Sequence, residues 1–505
     1  MLVKTGTEEF QNYLTDASNM AGGHALKLFL PETAEDVAAI LRDADEQKMP
    51  VTVSGARTGT VGGAIPFGGF VISMERMNKI IGVDKNAGTA TVQPGVILGD
   101  LQKAVDADGL FYPPDPTEWS CQIGGTVATN ASGSRSFKYG ATRNFVERLK
   151  VVLADGDMID LRRGEIKADE SGMLVLTTLD GRKIQVKVPT YKRPQVRKNV
   201  SGYFAEPAMD AIDLFIGSEG TLGVIVEIEL SLLSKPRGFF SGIVFFETHG
   251  ALLEFVDEAR DLSFAARRNP APAASGSDLR PAPDASLIEY FDDRALKFIS
   301  EKFPEVPPEM AGAIYFEQET NEGSEDALLE AWNALLERHN ADLESSWFTT
   351  TDADNEKMRE FRHALPVSVN ERIVRSGQRK VGTDMSVPDD NFLDFLRLYK
   401  RVLNESGLDH VIFGHIGDCH LHANILPKND DEATRARHLY GRFVADAIML
   451  GGTVSAEHGI GKLKRKYLNV MMGERYLSEM AAVKKAFDPK GILGRGNMFD
   501  EKFLG

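Results

Sequence analysis

The chain is short of cysteine, of positive charge and of long apolar runs, and each shortage closes off a class of function. Only Cys121 and Cys419 occur among 505 residues, so a disulfide framework and any cysteine-rich zinc or iron–sulfur site are excluded, and a reducing compartment fits. Lys and Arg number 58 against 74 Asp and Glu, a net charge of −16. Such a field repels phosphate backbones and anionic lipid surfaces, so no nucleic-acid partner is expected. No stretch approaches roughly 18 uninterrupted apolar residues, so no integral membrane segment is expected either. The opening MLVKTGTEEFQNYL puts acidic and polar residues where a signal peptide carries an apolar run. The expected location is cytoplasmic, whether free or peripheral to the inner membrane.

What is present describes a folded protein. Apolar residues make up 42% and charged residues 26%, an ordinary globular mix, and the length suits two or three domains. The run from Thr33, TAEDVAAILRDADEQK, predicts a capped helix with Val37, Ile40 and Leu41 at helical spacing. Short β-rich runs follow at 51–55, 70–74, 90–95, 149–161 and 224–233. A Pro-, Ala- and Ser-rich stretch at 266–286 reads as an exposed loop or linker. Beyond it, helical patterns at 325–339 and 391–406 alternate with strand-like AIYFEQE and HVIFGH. The class is α+β, without internal repeats.

Glycine is enriched, at 47 residues, and much of it is clustered. SGARTGTVGGAIPFGG (54–69) is entered directly from the strand VTV; bare backbone there can bring N–H groups onto a diphosphate. The loop has neither a Walker ending nor the nicotinamide GxGxxG fingerprint, and an ordinary Gly-rich turn remains an alternative. PPDPTEWSCQIGGTVATNASGSRSFKYG (113–140) suggests a strand edge able to line a flat ring, and LFIGSEGTLGVIVEIEL (214–230) is a third small-residue loop. Three such loops suggest one large, extended cofactor.

Histidine is clustered too: residues 410, 415, 420, 422, 438 and 458, six of the ten, fall within 49 positions. In HVIFGHIGDCHLHANIL, His415 sits at a turn, and a following strand is expected to project His420, His422 and Asn424 to one face. GGTVSAEHGIGKLK (451–464) sets Glu457 beside His458. Two imidazoles and a carboxylate with open positions can hold a divalent ion and a substrate together. The same spacing also suits hydrogen-bonded core histidines.

In order, SGARTGTVGG, IGGTVATNASGSRSFKYG, KNVSGYF (198–204), IGSEGTLG and FDPKGIL (487–493) resemble FAD-linked enzymes of the vanillyl-alcohol-oxidase type, over nearly the whole chain. Within that type the resemblance is to the D-lactate, glycolate and D-2-hydroxyglutarate dehydrogenase branch. It implies a two-part FAD-binding domain over 1–235, an α+β substrate or cap domain over 236–445 that carries the metal hairpin, and a C-terminal segment, 446–505, returning to the flavin. It further implies FAD with its diphosphate on Gly55, Ala56, Arg57, Thr58, Gly59 and Thr60. The ring would lie along Pro114, Gly124, Gly125, Thr126, Ser132, Gly133 and Ser136, and Glu219, Gly223 and Ile225 toward the adenine. No histidine lies in the first two loops and Cys121 matches no attachment site, so the FAD is expected to be noncovalent. The family's terminal Asn-Pro-Gly-Lys is replaced by GRGN, where Asn497 stands near the expected flavin.

By the same resemblance His415, His422 and Glu457 correspond to ligands of a divalent metal, zinc first, with manganese or iron as alternatives. His458 corresponds to the catalytic base and Arg362, in EFRHALP, to the substrate arginine; Lys380 and Asn424 are further contacts. The implied reaction oxidises a D-2-hydroxy acid to the 2-oxo acid by metal-assisted proton abstraction and hydride transfer to flavin N5. D-Lactate is the first expectation, with glycolate and D-2-hydroxyglutarate as alternatives. The electron acceptor would be a quinone, an electron-transferring flavoprotein or a cytochrome. The rival readings are a noncatalytic FAD-binding electron-transfer subunit and a same-fold flavin oxidase of another alcohol. Arg57, Arg135 and Arg143 are candidates for a second substrate carboxylate or for the cofactor. The family's Gly-Asp-Gly-Asn is here Gly417, Asp418, Cys419 and His420, which makes His420 either a substituted contact or an extra ligand.

Overall fold

The computed structural model describes residues 1–268, 282–321, 323 and 325–504; most of the Pro-rich stretch, 269–281, lies outside the described residues. The helix expected after Thr33 runs Ala34–Glu46, with the Thr33 hydroxyl accepting from the Asp36 amide at 3.1 Å. Val37, Ile40 and Leu41 are buried as the 3.6-residue period requires. This helix connects Lys27–Leu30 to Val51–Ser54, and both strands lie parallel to Phe70–Ser73. Leu2–Lys4 adds antiparallel to complete four strands.

A second sheet of five antiparallel strands has Val224–Ser231 at its centre, paired with Val146–Val152 on one side and Thr89–Val92 on the other. The third sheet has seven antiparallel strands, all within residues 238–425. Its order is Asp342–Thr349, Gly238–Phe246, Gly312–Thr320, Leu287–Asp292, His410–Gly414, His422–Ile425 and Val381–Gly382. Helices cover it, and the Phe316 and Trp332 rings stack at 4.0 Å where strand meets helix.

The C-terminal residues return to the first sheet. The Val51 amide donates to the Ile492 carbonyl at 2.8 Å, and the Gly494 amide to the Val51 carbonyl at 2.9 Å. FDPKGIL is the lock for this return. Asp488, fully buried, accepts from the Ile492 and Leu493 amides, while Lys484 Nζ reaches Asp488 at 2.7 Å and the Thr221 and Leu493 carbonyls at 2.8 Å.

Two local expectations are corrected. The stretch from 113 to 140 contributes no sheet edge to the second loop; its IGGTVAT forms the helix Ile123–Thr129, ended by Asn130 at φ 48°. Small residues favour this, because a Cβ on Gly124 would come within 2.5 Å of Pro94 Cβ. His420 is not in the strand with His422: Cys419 adopts φ 53°, which breaks the extended run, and the strand begins at His422.

Candidate functional site

Four neighbouring strands of the seven-stranded sheet deliver the cluster. Tyr290 pairs with Gly414 and Phe413 with His422, so Glu289 comes beside His415 and His422 beside the end of its hairpin partner. Gly414 has φ 134°, and a Cβ there would stand 3.2 Å from His422 Cδ2; a side chain would push that ring aside. Glu457 arrives from the C-terminal segment. Its Oε2 lies 3.2 Å from His415 Nε2, 3.5 Å from His422 Nε2 and 3.7 Å from His420 Nδ1. These four donors lie within 4.8 Å of one another. The three residues expected to share an ion are thus together, and His420 joins them.

Outer groups fix the rings. His415 Nδ1 is 2.5 Å from Glu289 Oε1, and His422 Nδ1 is 2.9 Å from the Thr383 carbonyl. Glu457 Oε1 accepts from Ser132 Oγ at 2.9 Å and from Lys198 Nζ at 2.7 Å, leaving Oε2 for the imidazoles. Asp384 holds the loop that carries Glu457 and His458: Oδ1 accepts from the Glu457 amide and Oδ2 from the His458 amide, both at 3.1 Å, and Oδ2 also accepts from Ser455 Oγ at 2.7 Å and from Lys464 Nζ. This division of labour suits a cation. Inner ring nitrogens and one carboxylate oxygen face a common point, while the outer nitrogens of His415 and His422 are committed to acceptors.

The electrostatics follow the same lines. Burial works against the Glu289 charge, but His415 and Arg362 beside it hold its pKa down to about 2. For His415 burial opposes protonation, and the Glu289 and Glu457 carboxylates raise it to about 9. Burial also opposes the Asp384 charge, yet His458 and Lys464 hold it well below the carboxylate range. The His458 ring stacks on His422 at 5.2 Å and 9°, with Nδ1 3.6 Å from Asp384 Oδ2. It keeps 38% of its surface accessible, but crowding by protein disfavours the imidazolium and lowers its pKa to about 4. It is therefore a neutral base near pH 7.

Arg362 lies on the helix Asp352–Ser376. It is 11% exposed, with Nε 3.2 Å from Glu289 Oε2 and Nη1 2.7 Å from Thr117 Oγ1. Glu289 therefore bridges Arg362 and His415. Pro366 falls four residues after Arg362 inside the same helix; lacking an N–H, it leaves the Arg362 carbonyl without its helical partner. Asn424 is buried on the neighbouring strand. A Cβ on Gly382, its register partner, would come 3.0 Å from Asn424 Oδ1. Lys380, two residues earlier, makes no hydrogen bond or ion pair among the described residues, and burial lowers its pKa.

The glycine loops pack against one another. Gly55 lies against Gln122, the Glu219 amide donates to the Ala128 carbonyl at 2.8 Å, and Gly220 lies against Val53. The direction of a Cβ at Gly59 and at Gly125 meets no atom within 4 Å, and Gln122 Oε1 is buried without a partner. An open cradle beside an orphaned acceptor suits an extended cofactor lying across the loops. Ala56, Thr58 and Thr60 belong to the same bend. Arg57, at φ 62°, stacks on Tyr13 and bonds the Gly55 carbonyl at 3.2 Å.

Other residues expected at the cofactor have internal duties. Pro114 accepts from Gln102 at 3.2 Å; Thr126 Oγ1 donates to Ile123, and Ser136 Oγ accepts from Gly133. A Cβ on Gly133 would fall 1.6 Å from the Asp115 carbonyl oxygen, and one on Gly223 would fall 2.4 Å from Val151. Gly133 is a glycine because backbone passes there, and Gly223 because the Val151 side chain does. Ile225 is buried in its strand. The Glu219 carboxylate accepts from Ile460 and Gly461 at 2.6 and 2.7 Å. Asn497 ties Gly63, Glu219 and Lys462 together, at 3.1, 3.3 and 2.8 Å. Arg135 is paired with Glu317 at 2.9 Å and Arg143 with Asp213 at 2.7 Å.

Sequence reasoning missed Glu289, Asp384 and Lys198. Glu289 had a signal, a carboxylate inside the apolar strand SLIEYF. Lys198 opens KNVSGYF, where nothing local reveals that its ammonium is buried 3.1 Å from Asp418.

The folded chain is thus a flavoenzyme framework: a glycine-lined cofactor cradle with a histidine and carboxylate cluster set against it. Residues 25–162 match the family model "FAD binding domain" and residues 275–498 match "FAD linked oxidases, C-terminal domain". A D-lactate dehydrogenase from Anaerostipes hadrus is 30% identical over 98% of this chain and 94% of its own length. The glycolate oxidase subunit GlcD of Bacillus subtilis is 29% identical, covering 93% of this chain and 88% of its own. A D-2-hydroxyglutarate dehydrogenase from Stutzerimonas stutzeri is 29% identical, over 94% and 90%. The solved structure of p-cresol methylhydroxylase with substrate bound shares the fold, with TM-score 0.72 and 15% identity over 99% of this chain and 94% of that one. The chain belongs to the FAD-linked oxidase family and is an FAD-binding oxidoreductase of the vanillyl-alcohol-oxidase fold. Among the described residues no helix is long and apolar enough to cross a membrane.

Proposed function

We propose that this chain is an FAD-dependent dehydrogenase of D-2-hydroxy acids, with a divalent ion held by His415, His422 and Glu457. The observation that carries the reading is the convergence of those side chains on one point, with His458 stacked beside them. Ser132, in the second glycine loop, bonds Glu457 directly, which ties the cluster to the cofactor cradle. FAD when bound supplies the two-electron acceptor for the hydride of the substrate Cα. The divalent ion when bound supplies Lewis acidity at the 2-hydroxyl.

The chain's own residues do the rest. His458 Nδ1 is turned toward Asp384, so Nε2 is the atom that accepts the hydroxyl proton. Burial keeps the imidazole neutral and ready. Arg362, steadied by Glu289 and Thr117, offers its remaining N–H groups to the substrate carboxylate. Lys380 and Asn424 are assigned as further substrate contacts. Loss of the hydroxyl proton to His458 and of the Cα hydride to FAD, were it bound, would leave the 2-oxo acid. Turnover then needs a second acceptor of the quinone, electron-transferring flavoprotein or cytochrome class.

Named relatives that act on D-lactate, glycolate and D-2-hydroxyglutarate support the substrate class, with D-lactate as the first choice. The test is dye reduction by purified holoenzyme with D-lactate, L-lactate, glycolate and D-2-hydroxyglutarate. Turnover with a D-hydroxy acid and none with its L-enantiomer is the expected result; silence with the whole panel would favour the noncatalytic electron-transfer reading.

A further inference from the structure

His420 is fully buried, and neither ring nitrogen has a hydrogen-bond partner among the described residues. An orphaned buried polar atom costs about 1–3 kcal/mol, so Nδ1, which has only Glu457 Oε2 at 3.7 Å before it, calls for an occupant. Zero exposure excludes a substrate as that occupant. Asp384 does not fill the role. Its Oδ1 lies 3.3 Å from Nε2, the other nitrogen of the ring, and leaves Nδ1 without a partner.

The ring is oriented as its two neighbours are. Each of the three imidazoles turns one nitrogen outward to an oxygen: His415 to Glu289, His422 to Thr383, and His420 to Asp384. Each turns the other toward the same atom, Glu457 Oε2, at 3.2, 3.5 and 3.7 Å. Donors on one ion with bonds near 2.1 Å stand about 3.0 Å apart when octahedral neighbours and about 3.4 Å apart when tetrahedral. The 3.2 Å separation lies in that range, and the 3.5 and 3.7 Å separations lie just beyond its upper end.

We propose that His420 is a fourth protein ligand, through Nδ1, so that the site is three imidazoles and one carboxylate and holds an ion of coordination number above four. The inference rests on the metal reading of the proposed function and goes beyond it. Four protein donors around a tetrahedral ion would close the shell, as in structural zinc sites. A six-coordinate ion would have two positions left, the number that the hydroxyl and one carboxylate oxygen of a 2-hydroxy acid need. That geometry favours iron(II), manganese(II) or cobalt(II) over zinc.

The test uses the full-length flavin-loaded protein, stripped of metal and reloaded with cobalt(II). X-ray absorption on the wild type should count three imidazoles in a shell of five or six ligands, and on His420→Asn two imidazoles. Chelator competition should show that His420→Asn weakens cobalt binding by at least the roughly ten- to hundredfold that losing an outer partner costs, with flavin content and thermal midpoint held as the fold control. Two imidazoles in the wild type, with unchanged affinity in His420→Asn, would overturn the inference and leave the three-ligand site standing. No cobalt bound by the wild type would overturn both. If His420→Asn does not fold, the wild-type imidazole count decides alone.

Discussion

Glu289→Gln is the substitution whose consequences the geometry specifies most fully. Glu289 is 2% exposed and serves two partners, His415 Nδ1 at 2.5 Å and Arg362 Nε at 3.2 Å. Glutamine keeps the volume but has one acceptor oxygen and one amide donor. If the oxygen stays on His415, the amide faces the Arg362 N–H groups; if it turns, His415 loses its acceptor. Either way a charge-assisted bond worth about 1.5–3 kcal/mol is lost. A carboxylate behind a ligating histidine carries about ten- to hundredfold of metal affinity, which is about 1.4–2.7 kcal/mol. The assay is chelator competition on the holoenzyme at fixed pH, with hydroxy-acid KM measured at saturating metal. Affinity should fall within that range, and KM should rise as Arg362 loses its brace. Affinity within twofold of wild type, with KM unchanged, would refute the bridge as a positioning device.

Three further outcomes follow. Gly125→Val enters open space and Gly133→Ala meets the Asp115 carbonyl at 1.6 Å, so the first should fold but release FAD while the second lowers the thermal midpoint; flavin content and melting of the two variants check this, and equal flavin retention in Gly125→Val would remove that face from the cradle. Cys121 is buried, and burial pushes its thiol up to about 12, so acid precipitation should free all the flavin into the supernatant; colour left in the pellet would signal a covalent link. Burial raises Asp292 from 3.8 to about 7, so the folded chain keeps a proton that the unfolded chain has released. Its contribution to stability should therefore fall as pH rises from about 4 to about 7, by up to roughly 1.4 kcal/mol per unit. Melting between pH 5 and 8 should show that decline flattened in Asp292→Asn, and equal slopes would refute it.

Much of the architecture was legible because its signals are local. Thr33 and the apolar spacing after it marked the helix Ala34–Glu46, and the alternation in VIVEIEL marked the strand Val224–Ser231. The strand edge expected between 113 and 140 became a helix, since IGGTVAT has no β-branched alternation and its glycines admit close packing on Pro94. At the cluster, motif order led to His415, His422 and Glu457 because each stands in a short run of chemically distinctive residues. Glu289 and Lys198 were not legible in the same way. Their partners lie 126 and 259 positions away, and only strand register and loop return bring them in. Glu219 and Asn497 show the converse. Motif position suggested cofactor contacts, and it carried no sign of the bonds their side chains also make, to the loop 459–461 and to Gly63 and Lys462.

The most direct measurement is anaerobic bleaching of the bound flavin by D-lactate, followed through stepwise removal and restoration of the divalent ion. Bleaching that disappears on exhaustive chelation and returns with added metal, with the flavin retained throughout, is what a Lewis-acidic centre at Glu457 requires. Bleaching at an undiminished rate in metal-free protein would contradict it.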